Sequence, residues 1–264
     1  MDTARVVHRA LSTGVARFPP YGHSGAVRGW WREITGLVLP AVCGGCGGPR
    51  TELCGECAAE LEVAPERVRP TPEPAGLPVV HAAAPYENAV RAVLLAHKER
   101  GALGLAGALG RALAGAVRAG TERMGGEGPL LLVPMPSSRV ATAARGHDPA
   151  RRIARAAAAE LRRGGVPARV TPVVRQRRAV ADQAGLGARE RQANLAGALE
   201  VDVRGGRLLS GGRVVLVDDL LTTGATLAEA ARAVRAARPA GGRAVPLSAA
   251  VVSASPSAFE LNRN

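Results

Sequence analysis

A run of residues near position 220 combines two carboxylates, three threonine hydroxyls and a glycine directly after an apolar stretch. The apolar stretch is 214–217, and the candidate site residues after it are Asp218, Asp219, Thr222, Thr223, Gly224, Ala225 and Thr226. Hydroxyls and the free amides at a helix start bind phosphate, and glycine permits close backbone approach. Paired carboxylates accept hydrogen bonds from sugar hydroxyls, directly or through the water shell of a metal ion. The run therefore predicts a site for a sugar phosphate.

This chemistry requires the carboxylates at the end of a buried strand and the glycine at the start of a helix. Residues 213–219 predict the strand, and 224–237 predict the helix. Further strands are predicted at 130–136, 168–174 and 244–252, and further helices at 86–96, 102–119 and 147–163. Short apolar strands that alternate with helices predict a parallel α/β sheet covered on both faces, with ligands at the carboxyl ends of the strands. Aromatic residues make up only 2% of the chain, so the core must be built from Ala, Val and Leu.

The run at 214–226 resembles the signature of type I phosphoribosyltransferases that binds phosphoribosyl diphosphate (PRPP). In that signature an apolar strand and an acidic pair precede T-T-G-x-T. Two more stretches resemble the ComF family, one at 130–152 with P-M-P and R-G-H-D, the other at 183–199 with the sequence QAGLGARERQANLAGAL. A four-cysteine module near the N-terminus also belongs to that family. The chain is identified by this resemblance, which covers about residues 37–252, as ComF-like, a group linked to DNA uptake in competent bacteria.

The resemblance implies a type I phosphoribosyltransferase-like fold, a parallel sheet with flanking helices, and a set of substrate contacts. Asp218 or Asp219 would position the ribose of PRPP in catalysis, with Mg²⁺ on the diphosphate. Further contacts to PRPP are implied for Ser137, Arg145, Gln183, Arg191 and Asn194, the last three in a loop at 175–194 that closes over the substrate. Lys98 is the only lysine of the chain, and a basic residue in the corresponding place of the family implies a contact to the diphosphate.

All four cysteines fall in one short segment, as Cys43-x2-Cys46 and Cys54-x2-Cys57. Two such pairs supply four thiolates to a tetrahedral Zn²⁺, and four thiolates leave no open coordination position, which predicts a structural, zinc-ribbon-like module. A redox dithiol pair and two disulfides are the alternatives. The chain shows neither a membrane-spanning stretch nor a secretory signal, which predicts a cytoplasmic protein and disfavours the disulfides.

The chain is expected to divide into five parts. These are a variable segment at 1–36 with a short helix at 27–39, the zinc module at 37–62, a proline-rich linker at 63–80, the phosphoribosyltransferase-like domain at 81–253 and a disordered tail at 254–264.

Three functions stay open from the sequence. The first is transfer of phosphoribosyl from PRPP to an unknown acceptor, and the second is a PRPP-sensing adaptor without catalysis. The third, which the family resemblance adds, is the handling of single-stranded DNA beside a DNA-uptake helicase. A formal charge of +13 suits polyanionic partners, whereas the scarcity of aromatic residues argues against base stacking. No general base stands out, which favours binding over catalysis.

Overall fold

The apolar run before the acidic pair forms a strand in the middle of a six-stranded sheet. Residues 214–217 are at most 1% exposed because helices cover both faces of that sheet. The structure is a computed structural model that describes residues 41–178, 194–237 and 246–259, without the side chain of Arg139. All of these residues fall within one compact unit.

The strands are short, apolar and mostly parallel. Their bounds are β1 (Glu66–Val68), β2 (Val80–Pro85), β3 (Leu130–Pro134), β4 (Ala168–Val170), β5 (Val174–Gln176), β6 (Leu199–Val201), β7 (Arg213–Leu221) and β8 (Leu247–Ala254). The main sheet has the order β1-β2-β8-β7-β3-β4, and among its described strands only β1 runs antiparallel to its neighbour. β5 and β6 form a separate antiparallel pair. The predicted parallel α/β sheet is thus confirmed.

Helices lie on both faces of the sheet. Their bounds are α1 (Gly55–Ala59), α2 (Asn88–Glu99), α3 (Ala106–Thr121), α4 (Arg139–Arg145), α5 (Pro149–Arg163), α6 (Val203–Leu209) and α7 (Ala225–Ala236). Apolar side chains of α2, α3 and α5 fill the core on one face, and those of α7 fill it on the other. Both cores consist mainly of Ala, Val and Leu, as the scarcity of aromatics predicts. None of the described helices is long and apolar enough to cross a membrane.

The strand predicted at 168–174 is divided in two. β4 ends at Val170, and the chain leaves the sheet at Pro172, which has no N–H to donate to a ladder. The chain then forms β5, which pairs with β6. The first residues of the loop expected at 175–194 are therefore part of an ordered antiparallel pair.

Two segments outside the expected domain are also built into it. Within the expected linker at 63–80, β1 adds an antiparallel edge to the main sheet. Beyond residue 253, where disorder was expected, the chain forms a 3-10 turn at Pro256–Ala258, and Phe259 is 7% exposed. Arg69 N–H donates to Ala258 O at 2.9 Å, which joins these two segments. The helix expected at 27–39 lies outside the described residues.

Candidate active site and cysteine site

The acidic pair lies inside β7, which continues past it to Leu221. Alternate side chains of a strand face opposite sides, so Asp219 shares the face of Val215 and Val217, which is turned towards α2 and α3. Asp219 is only 6% exposed. Asp218 is half-buried, and its Oδ1 accepts the backbone N–H of Asp219 at 2.9 Å. The strand thus holds two carboxylates in a place with little water.

Lys98, in the last turn of α2, is the partner of one of these carboxylates. Its Nζ lies 2.7 Å from Asp219 Oδ2. Burial alone would lower the pKa of the amine, but the attraction of Asp219 outweighs it and the pKa of Lys98 is raised. Burial, and next to it the charge of Asp219, raises the pKa of Asp218 to about 8. The unliganded site therefore carries a Lys98–Asp219 ion pair beside a carboxyl group, Asp218, whose ionisation is disfavoured.

The predicted phosphate-binding residues form the turn between β7 and α7. Gly224 has a left-handed φ of 73° and is the residue that precedes α7, and among the described residues no side chain caps that helix start. A Cβ at Gly224 would meet Leu77 Cδ2 and Pro70 Cγ at 3.2 Å. The first amides of α7 therefore have no side-chain cap from the described residues and, at the positive end of the helix dipole, can bind an anion.

Hydroxyl groups surround this helix start. Thr222 is exposed, and Thr223 and Thr226 are partly exposed, whereas Ala225 is buried at 4%. An anion at the start of α7 would find amide donors from the backbone and hydroxyl donors from the turn. The structure thus places the residues that were predicted to bind phosphate beside the acidic pair.

The loop after β3 begins next to the acidic pair. Met135 N–H donates to Val217 O at 2.9 Å, which fixes the carboxyl end of β3 against β7. Ser137 follows, half-buried. Ser138 caps α4, because its Oγ accepts the Ala141 N–H at 3.1 Å. The structure therefore places Ser137 in the short loop between β3, which pairs with β7, and the start of α4.

Arg145, which was expected to contact a diphosphate, forms an ion pair with Glu99. Its Nε and Nη2 donate to the two carboxylate oxygens of Glu99 at 2.9 and 2.8 Å. His147, two residues further on, has Nε2 at 3.2 Å from His97 O. The R-G-H-D segment thus holds the last turn of α2 on both sides of Lys98.

Sequence reasoning missed this arrangement. The partners lie 46 and 50 residues apart along the chain, and no local pattern joins them. The only signal was that Lys98 stands between His97 and Glu99, two further polar residues at the end of an apolar helix.

Of the loop residues implied as substrate contacts, Gln183 and Arg191 lie outside the described residues. Asn194 is described, and its backbone oxygen accepts a hydrogen bond from Arg178 Nη2 at 2.7 Å. The next residue, Leu195, is buried against Ala225 at the start of α7. Asn194 is therefore held near the turn between β7 and α7.

The four cysteines are positioned to hold a metal ion. Their Sγ atoms all lie within 4.8 Å of one another, and those of Cys46 and Cys54 are 3.7 Å apart. Four sulfurs at 2.3 Å from a tetrahedral zinc ion are separated by about 3.8 Å. The donor set and its spacing fit structural zinc.

The local backbone favours thiolates at this site. Despite burial, which alone raises it, the pKa of Cys43 is lowered to about 6 by the backbone N–H groups of Cys54, Cys46 and Gly45. The pKa of Cys57 is raised, first by burial and then by the neighbouring sulfurs. A Cβ at Gly45 would meet Cys57 Sγ at 2.6 Å, so only glycine fits this turn. A cation would relieve the cost of ionising Cys57.

The cysteine site is attached to the helix that carries Lys98. Cys43 and Cys57 share a small apolar cluster with Ala89 in the first turn of α2. Glu60 Oε2 accepts the Ala89 N–H at 3.2 Å and so caps that helix. The metal site and Lys98 therefore lie at opposite ends of α2.

Comparison with models of known protein families gives a match to the C-terminal part of the chain. Residues 141–257 match the family model described as a phosphoribosyl transferase domain. The match includes the acidic pair and the turn to α7, whereas the cysteines and Lys98 precede it. Among curated proteins none matches the chain. The fold and this match support a type I phosphoribosyltransferase-like family.

Proposed function

We propose that the chain binds PRPP at the carboxyl end of β7 and transfers its phosphoribosyl group to an acceptor. The observation that carries this proposal is the combination of a buried acidic pair, a left-handed Gly224 and an uncapped helix start, with Lys98 bound to Asp219. Each of these features serves one part of PRPP. The phosphoribosyl transferase match over residues 141–257 supports the same ligand.

The 5′-phosphate of PRPP binds at the start of α7. Its charge is stabilised by the first-turn amides, the helix dipole and the hydroxyls of Thr222, Thr223 and Thr226. The ribose hydroxyls donate to Asp218 and Asp219. Because burial and the charge of Asp219 raise the pKa of Asp218, use of both side chains as ionised acceptors requires that Asp218 lose its proton when the ligand binds.

The diphosphate extends from the ribose towards Lys98 and Ser137. Two carboxylates beside substrate phosphates form the kind of site that Mg²⁺ prefers, so Asp218 and Asp219 fit that ion, which supplies charge neutralisation when bound. In the transfer step the bond between C1 of the ribose and the diphosphate oxygen breaks, and a nucleophile of the acceptor forms a bond to C1. Lys98 stabilises the negative charge that the leaving diphosphate gains.

Calorimetric titration of the protein with PRPP and Mg²⁺ tests the proposal. We expect saturable binding to the wild-type protein and none that is measurable to Asp219→Asn. The matched control is Asp202→Asn, because Asp202 caps α6 away from the site and asparagine caps a helix as well as aspartate does. Equal binding to Asp219→Asn and wild type, or no binding to either, would contradict the proposal.

A PRPP-sensing adaptor is the second candidate, favoured by one observation. Among the described residues around the acidic pair, none is an evident general base that would take a proton from the acceptor. Release of pyrophosphate on addition of candidate acceptors distinguishes the enzyme from the sensor. Binding of PRPP without any such release across nucleobases and amines would favour the sensor.

The ComF resemblance extends the proposal to a cellular process. In the extended proposal the protein is cytoplasmic and contains structural zinc. It is associated with DNA uptake and acts beside a DNA-uptake helicase and single-stranded DNA. The thiols of the cysteine site, which must stay reduced to bind metal, support that compartment. Retention of a labelled single strand is the test. Binding that withstands high salt would support DNA handling, whereas loss of binding with salt would show only a charged surface.

A further inference from the structure

α7 carries a buried carboxylate that the proposed chemistry does not use. Glu229, in the second turn, is 7% exposed. Its two oxygens accept hydrogen bonds from Arg232 Nε and Nη2, each at 2.8 Å. The pKa of Glu229 is lowered, because these bonds and a backbone donor outweigh the effect of burial, which alone raises it. A carboxylate that stays ionised with little access to water must be compensated by fixed hydrogen-bond partners.

Besides Arg232, the partner of this carboxylate is the backbone of Leu199, the first residue of β6. Glu229 Oε1 accepts the Leu199 N–H at 3.2 Å, and Arg232 Nη2 donates to Leu199 O at 3.0 Å. Two side chains of α7 thus bind both backbone groups of one residue, as a neighbouring strand does in a sheet. Glu229 and Arg232 are called the α7 clamp below.

The clamp holds a tight turn against the phosphate-binding helix start. Ala198 N–H donates to Leu195 O at 2.9 Å, and Gly197 between them has a left-handed φ of 69°. Leu195 and Ala198, 3% and 0% exposed, form a separate apolar cluster with Ala225. Ala225 is the first residue of α7, and its N–H is one of the donors proposed for the 5′-phosphate.

We infer that the α7 clamp positions residues 194–199 against the first turn of α7, and that Glu229 is thereby a positioning residue for PRPP. This inference rests on the proposed function. Glu229 lies four residues after Ala225, on the same face of the helix. One end of the contact is fixed by the hydrogen bonds to Leu199, and the other end by the packing of Leu195 on Ala225. Loss of the clamp would release the hydrogen bonds to Leu199 and weaken the packing of Leu195 on Ala225.

Hydrogen exchange of the ligand-free protein tests the positioning without PRPP. In Glu229→Gln we expect faster exchange at Leu199 and also at residues 225–228. The control is Glu160→Gln, because Glu160 forms an ion pair of the same i,i+3 spacing with Arg163 on α5. Faster exchange at Leu199 alone, with residues 225–228 as in wild type, would overturn the inference. Arg232→Ala is the alternative variant if Glu229→Gln does not fold. It removes the hydrogen bond to Leu199 O, and the Arg232 side chain is exposed.

Titration with PRPP and Mg²⁺ tests the consequence for the ligand. We expect Glu229→Gln to bind PRPP about tenfold more weakly, which corresponds to about 1.4 kcal/mol, while Glu160→Gln binds as wild type. Because both clamp residues act as one unit, the double variant Glu229→Gln/Arg232→Ala is expected to bind no more weakly than the weaker single variant. Additive losses, or wild-type affinity in Glu229→Gln, would overturn the inference. A wild-type protein that binds no PRPP would contradict the proposed function, while hydrogen exchange would still decide the clamp.

Discussion

Lys98 Nζ and Asp219 Oδ2 lie 2.7 Å apart, which joins the last turn of α2 to the strand of the acidic pair. In the ligand-free protein the ammonium neutralises a carboxylate that is only 6% exposed. The proposed function gives the same ammonium a second partner, the diphosphate of PRPP. Lys98 is then shared between the ribose and the diphosphate parts of the site.

The first prediction concerns this lysine. Lys98→Met is expected to weaken PRPP binding about 10- to 100-fold, because a charge-assisted hydrogen bond contributes about 1.5–3 kcal/mol. Lys98→Arg is expected to recover only part of the affinity, since a planar guanidinium does not fit where a compact ammonium does. Titration calorimetry measures both. Arg91→Met, at an exposed position of the same helix, is the control and should bind as wild type. Wild-type affinity in Lys98→Met would exclude a role in binding.

The second prediction concerns the pH dependence of Asp218. Its pKa is about 8 in the folded protein against 3.8 as a free side chain. Between these values the folded state holds a proton that the unfolded state has lost, so this group makes stability fall as pH rises from about 4 to 8. Asp218→Asn should therefore exceed the wild type in Tm at pH 8.5, and the difference should shrink towards pH 5. Thermal melts across this range measure it.

Binding should show the opposite trend at the same residue. If PRPP with Mg²⁺ requires an ionised Asp218, the affinity of the wild type rises between pH 6 and 8, about the range set by its pKa. Asp218→Asn should bind weakly at every pH. An equal Tm difference at both ends of the range, or an affinity that does not change with pH, would contradict the raised pKa.

The third prediction concerns the phosphate turn. Gly224→Ala is expected to lose about 1–2 kcal/mol of stability, because alanine does not favour a left-handed φ, and Leu77 and Pro70 crowd its Cβ. PRPP binding should be lost with it, as measured by calorimetry and thermal melts. The control is Gly107→Ala in α3, where a Cβ meets nothing within 4 Å. That change should leave binding intact and raise the Tm, since alanine favours a helix.

The fourth prediction separates two roles for Arg145. If Arg145 contacts the diphosphate, Arg145→Ala weakens PRPP binding and Glu99→Ala does not. If instead it positions Lys98 through Glu99, as the bonds of 2.9 and 2.8 Å indicate, both single variants weaken binding similarly and the double variant adds nothing. We expect the second pattern in titrations with PRPP. PRPP binding that is unchanged in Glu99→Ala would instead favour a direct contact between Arg145 and the diphosphate.

The fifth prediction concerns metal removal. A zinc chelator should lower the Tm by several degrees, because the short cysteine segment, with only Cys43 and Cys57 buried, has little core of its own. Acidification should release the metal only below pH 6, because the pKa of Cys43 is already about 6 without metal and a bound cation makes the thiolate harder to protonate. Metal content by mass spectrometry and thermal melts check both effects. A metal-free preparation with an unchanged Tm would contradict structural zinc.

Much of the fold follows from local patterns. The run 213–219 predicts a strand because its apolar residues are continuous, and the helix predicted at 147–163 is present as α5, with Asp148 as its cap. The cysteine spacing predicts a site in which the sulfurs converge. These features depend on neighbours within a few residues, which is why the sequence shows them.

The contacts between distant residues could not be predicted in this way. Glu99 pairs with Arg145 and Glu229 binds the backbone of Leu199, at separations of 46 and 30 residues. An arginine-rich chain offers many candidate partners for each carboxylate, and only the tertiary fold selects among them. Pro172 carried a local signal for the break between β4 and β5, but the apolar residues on both sides of it obscured that signal.

α2 connects the cysteine site at its start to the acidic pair of β7 at its end. Glu60 of the cysteine segment binds the helix at Ala89, and Lys98 stands nine residues further along, about 14 Å away on a rigid rod. Cys46 is exposed to solvent. Oxidation of this thiol would remove a ligand from the metal, and any resulting shift of α2 would move the Lys98 ammonium relative to Asp219.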